Sequence, residues 1–88
     1  MEGNEKDQLE DAIVIMETSL TAAKEQKVAL EQYGVQIARA MDKLKTEQAK
    51  QDLAEITQVN YKKMIEFEIR IAEMEKQLGL MKLHALFS

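Results

Sequence analysis

Apolar residues recur at alternating steps of four and three along most of this chain, and few features restrict a fold more. The first series runs Leu9, Ile13, Met16, Leu20, Ala23, Lys27, Leu30, Gly34, Ile37, Met41, Leu44. Only Lys27 and Gly34 depart from apolar character. A stripe held in this rhythm is a heptad seam, the pattern of helices packed at shallow angles. The register runs through Gly34, which places that glycine inside a helix, at a cost of about 1 kcal/mol relative to Ala. Its use there is to admit a neighbouring helix closely or to mark a kink. A turn at Glu31-Gln32-Tyr33-Gly34 is the rival reading, and Val35 and Gln36 suit it poorly.

A second series runs Leu53, Ile56, Asn60, Met64, Phe67, Ile71, Met74, Leu78, Met81. Two successive steps of four meet at Asn60, a stutter that locally unwinds a supercoil. Asn60 is thereby expected on the packed face, where a buried Asn sets register or oligomer state. A helix end at Asn60, or a solvent-facing side chain, are the other readings.

Between the two seams lies Lys45-Thr46-Glu47-Gln48-Ala49-Lys50-Gln51-Asp52, with Ala49 its only apolar residue. Asp52-Leu53-Ala54-Glu55 has the form of a capping box. Lys43 and Lys45 sit where cations favour the end of a preceding helix. The expected fold is all-α: a long antiparallel helical hairpin with coiled-coil-like seams, self-associating into a helical bundle. The helices are expected over about 7–46 and 52–78, with a turn near 46–52. One continuous coiled-coil rod is the alternative, because every residue of the intervening segment tolerates a helix. Residues 1–6 read as an acidic N-terminal tail. Residues 79–88 read as an apolar C-terminal tail, with Gly79 suited to the C′ position that closes a helix; the other reading is that the second helix runs on through Gly79 and the tail packs onto the bundle.

Composition narrows the function. The chain has no Cys, so disulfides, thiolate metal sites and thiol nucleophiles are excluded. Val14, Ile15, Val28, Val35, Val59, Ile65 and Ile69 lie beside or off the strict stripes. They make a wider apolar surface than one partner helix can cover, which is the reason to expect a dimer or higher oligomer. The expected oligomer seam comprises Ile13, Met16, Leu20, Leu30, Ile37, Met41, Leu44, Met64, Phe67, Ile71, Met74 and Leu78. Leu83, Leu86 and Phe87 in the apolar tail are the expected contacts for another protein. The net charge of −4 lies entirely in residues 1–44, with nine acids against five bases. Such a segment repels nucleic-acid phosphates, so no nucleic-acid partner is expected. The polar start lacks a secretory pattern and no apolar run approaches a membrane span. A soluble cytoplasmic protein without stable membrane insertion is the expectation.

No constellation for catalysis is found. No motif around the one histidine, His84, marks a triad or a metal site. Glu66 and Glu68, like Glu73 and Glu75, are two residues apart and do not share a helix face. Gly3, Gly34 and Gly79 are isolated, so there is no phosphate-binding glycine loop. The expectation is a non-enzymatic interaction module, an adaptor, assembly factor or inhibitor, with no metal and no cofactor. The alternative is an oligomer that holds a small anionic ligand between subunits at Tyr61, Lys62 and Lys63, or at Tyr33 and Arg39.

Overall fold

The computed structural model describes residues 5–87. Two helices make up the fold, α1 over Glu5–Met41 and α2 over Glu47–Leu86. They pack against each other as a hairpin with principal extents of 67 × 16 × 15 Å. At about 1.5 Å of rise per residue, one continuous helix over the described chain would reach roughly 120 Å, so the rod is excluded.

The chain reverses earlier than its sequence suggested. The turn occupies residues 42–46 rather than 46–52, and α1 ends at Met41. Backbone N–H groups of Lys43 and Leu44 donate to the carbonyls of Ala40 and Met41, at 3.0 and 3.2 Å, tightening the last turn. Thr46 is the N-cap of α2. Its backbone is extended, with φ −103° and ψ 148°, and its hydroxyl oxygen accepts from the Ala49 N–H at 3.2 Å. Glu47 then puts negative charge in the first turn, where the helix dipole favours it. Asp52 is therefore not a cap. It lies in the second turn, accepting from Gln48 Nε2 at 2.9 Å. The cap signal at Asp52 was outcompeted because residues 47–51 are good helix formers preceded by a threonine of the right kind.

Gly79 does not close α2 either. The helix runs on to Leu86, and no described glycine has positive φ. Most of the segment read as a tail is thus the last two turns of a helix. The expected acidic tail falls partly on residues 1–4, outside the described residues, while Glu5 and Lys6 belong to α1.

All eleven positions of the first seam are buried or half-buried, including Leu44 in the turn. In the second seam Leu53, Asn60, Met64, Phe67, Ile71, Met74, Leu78 and Met81 are covered to a similar degree. Ile56 departs from the pattern and is 43% exposed. The stutter at Asn60 rotates the stripe upstream of it, so Leu53 and Ala54 face α1 while Ile56 turns aside. The twelve residues expected as an oligomer seam are all buried or half-buried within the single hairpin, eleven on its helices and Leu44 in its turn.

Candidate functional site

Helix-on-helix packing in this hairpin turns on one polar contact. Asn60, from α2, is only 8% exposed. Its Nδ2 donates to the Leu30 carbonyl of α1 at 3.1 Å and lies 3.7 Å from the Met64 sulfur. The Leu30 carbonyl would bond the Gly34 N–H in an ideal α-helix, and its second lone pair serves Asn60. Gly34 makes the approach possible. A Cβ there would stand 3.1 Å from Asn60 Nδ2. The two irregularities of the seams, one glycine and one asparagine, are therefore the two halves of a single contact.

Charged pairs follow one edge of the interface. Lys82 Nζ meets Glu17 at 3.1 Å, Lys24 meets Glu75 at 3.5 Å, and Lys27 meets Glu68 at 3.4 Å. Lys27 also reaches Glu31 at 3.7 Å, so this seam lysine lays its stem over the apolar interface and carries its ammonium to the rim. On the other edge the Arg70 guanidinium sits 5.3 Å from the Phe67 ring centroid. Exposed pairs of this kind contribute about 0–1 kcal/mol each, so they select register more than they hold the fold.

Shallow grooves run along that second edge. One is lined by Leu30, Tyr33, Ile56, Val59, Asn60 and Lys63. It brings together Tyr33 and Lys63, which the sequence reading had assigned to different ligand sets. Arg39, Tyr61 and Lys62 are not in its lining, and Tyr61 is 63% exposed. His84 borders a separate groove with Glu5, Lys6, Gln8 and Leu9. Among the described residues no group of His, Asp and Glu is placed to hold a metal ion.

The apolar surface is more distinctive than any groove. No described side chain is wholly enclosed; Leu20, Ala23, Ile37, Asn60 and Leu78 come closest. Val14, Ile15, Val28, Val35, Val59 and Ile69 are each about half exposed or more. Leu83 is 51% exposed, and Leu86 and Phe87, at the end of α2, are among the most exposed large residues.

One arrangement escaped the sequence reading. Ile65, Ile69, Ala72, Lys76, Gly79, Leu83 and Leu86 form a second stripe on α2, again in strict steps of four and three, and every member is exposed. The signal was present in the spacing. It is masked because Ile65 and Ile69 also flank the inner seam, and Gly79 suits a helix end as well as a helix interior.

No family model matches the sequence, and no curated protein or solved structure is significantly similar to it.

Proposed function

We propose that this chain is a non-enzymatic helical interaction module that acts as a homo-oligomer and serves another protein as adaptor, assembly factor or inhibitor. The observation that carries the reading is the exposed apolar surface of a hairpin that encloses no side chain completely. Isolated apolar residues are ordinary on a protein surface, but contiguous stripes of them are a mark of protein–protein contact. Leu83, Leu86 and Phe87 support contact with a further protein, since exposed apolar anchors at an element's end fit a partner's pocket. The acidic balance of the chain favours a protein partner over a nucleic acid. Among the described residues no helix is long and apolar enough to cross a membrane, which fits the proposed cytoplasmic setting. Light scattering on a size-exclusion column tests the self-association: a mass above that of one chain at micromolar concentration supports it, and a single-chain mass opposes it.

A second reading rests on the meeting of Tyr33 and Lys63 in one groove. A phenol and an ammonium over an apolar floor suit a small anionic ligand. A thermal-shift series with nucleotides and aromatic carboxylates tests it; a shift that Lys63→Ala abolishes supports this reading, and a flat series removes it.

A further inference from the structure

We infer that the outer stripe of α2 is the self-association surface, and that its occupant is the same stripe of a second copy, laid antiparallel. The inference rests on the homo-oligomer reading above and assigns it a face and an orientation.

Gly79 is the first argument. It lies in the middle of a helix, is exposed, and has nothing within 4 Å of where a Cβ would stand. Gly34 is explained by Asn60, whereas nothing inside the hairpin calls for a glycine at 79. Gly79 and Ala72 are the small members of the outer stripe, one heptad apart, and small residues let two helix backbones approach closely.

The faces of the hairpin also differ in the charge they carry. The ion-paired edge carries Glu17, Lys24, Lys27, Glu68, Glu75 and Lys82, whose burial would require desolvating three pairs. The groove edge carries Lys63 and Arg70. Along the outer stripe of α2 the single charge is Lys76, whose long stem can lie flat with its ammonium at the rim. Each of Ile65, Ala72, Gly79 and Leu86 follows directly on a covered position of α2 (Met64, Ile71, Leu78, Ala85), so the stripe is turned by about 100° or more from the inner seam.

Area gives the third. The chain's accessible surface is 6874 Å². A compact monomer of 10.1 kDa is expected to show about 5,300 Å². The excess, about 1,600 Å², leaves ample room for the roughly 800 Å² per partner of a standard stable interface.

Orientation follows from size and charge. The stripe carries large apolar residues at both ends, Ile65 and Ile69 at one and Leu83 and Leu86 at the other, with Ala72, Lys76 and Gly79 between. Laid antiparallel, Ile65 and Ile69 meet Leu83 and Leu86 of the second copy, and Ala72 and Gly79 of the middle segments meet each other while the Lys76 stems splay to the rim. Glu68 of one copy then lies beside Lys82 of the other. Because Glu68 already pairs with Lys27, and Lys82 with Glu17, each end gains a chain of four charges of alternating sign. A parallel arrangement sets Glu68 beside Glu68 and Lys82 beside Lys82 and forfeits this. Leu83 and Leu86 are thereby given to the second copy, and Phe87 is left for another protein.

The test measures mass by sedimentation equilibrium on the intact chain and two double variants. Ile69→Glu with Leu83→Glu is expected to halve the mass to the 10.1 kDa of one chain with helicity unchanged. Val14→Glu with Val28→Glu, on the outside of α1, is expected to stay dimeric. The converse pair of results overturns the interface while leaving self-association standing; a monomeric parent chain overturns both. Cysteine cross-linking reads the orientation in a chain that has no Cys of its own. Lys76→Cys near the two-fold axis is expected to form a disulfide-linked dimer. Ile65→Cys alone is not, because its two copies would stand about 30 Å apart at 1.5 Å per residue. Mixed with Leu86→Cys it is expected to cross-link. Efficient linkage of Ile65→Cys to itself, without linkage to Leu86→Cys, overturns the antiparallel arrangement.

Discussion

Asn60 and Gly34 show how two residues that each weaken a helix alone can specify how two helices meet. Replacing Gly34 by Ala gains about 1 kcal/mol of helix propensity. Against this, the new methyl stands 3.1 Å from Asn60 Nδ2, which is held by its bond to the Leu30 carbonyl. Relief by a few tenths of an ångström stretches that bond, whose net worth is also about 1 kcal/mol. Gly34→Ala is therefore expected to change stability little in the parent chain, and to stabilise by about 1 kcal/mol once Asn60 is Ala. Urea denaturation of the four proteins of the cycle measures this. Strict additivity would show that the two residues do not meet. The seam rhythm alone placed both residues on the packed face. Their partnership was not legible, because it depends on which turn of α1 faces which turn of α2, and spacing within one helix carries no such information.

At the scale of the helix, capping chemistry decides where the hairpin bends. Thr46→Ala removes the hydroxyl that accepts from Ala49, and is expected to cost about 1 kcal/mol. Asp52→Ala loses only an exposed side-chain bond to Gln48 and is expected to cost about 0.5 kcal/mol or less. Thermal melts of the two variants distinguish them, and a larger loss at Asp52 would move the start of α2. Both residues are good N-caps by type, and the sequence favours Asp52 through Glu55. Tertiary packing resolves the choice: Ala49 and Lys50 are half-buried, so α2 extends its packed face one turn further back. Register between the helices is shared by the edge charges. Lys24→Glu places two carboxylates together and is expected to destabilise by up to about 1 kcal/mol, less in high salt. Adding Glu75→Lys is expected to restore the loss; failure to do so at low salt would mean that the pair contributes nothing to register.

The whole molecule is a hairpin with two kinds of stripe. The inner ones meet each other, and both were legible because one face of each helix repeats cleanly. The outer one on α2 keeps the same rhythm but was hidden, since Ile65 and Ile69 also flank the inner seam and Gly79 suits a helix end as well as a helix interior. At the end of α2, Leu86→Ser with Phe87→Ser is expected to leave the hairpin's own stability within about 0.5 kcal/mol, because neither side chain is covered by α1. A large loss of stability in a dilute, monomeric sample would place these side chains in the hairpin's own packing.

Self-association is the central claim, and the mass of the intact chain in solution is its most direct test. Sedimentation equilibrium across the micromolar range is expected to return twice the 10.1 kDa of one chain, falling towards that value on dilution. A mass of one chain at every concentration, with full helicity, would contradict the account.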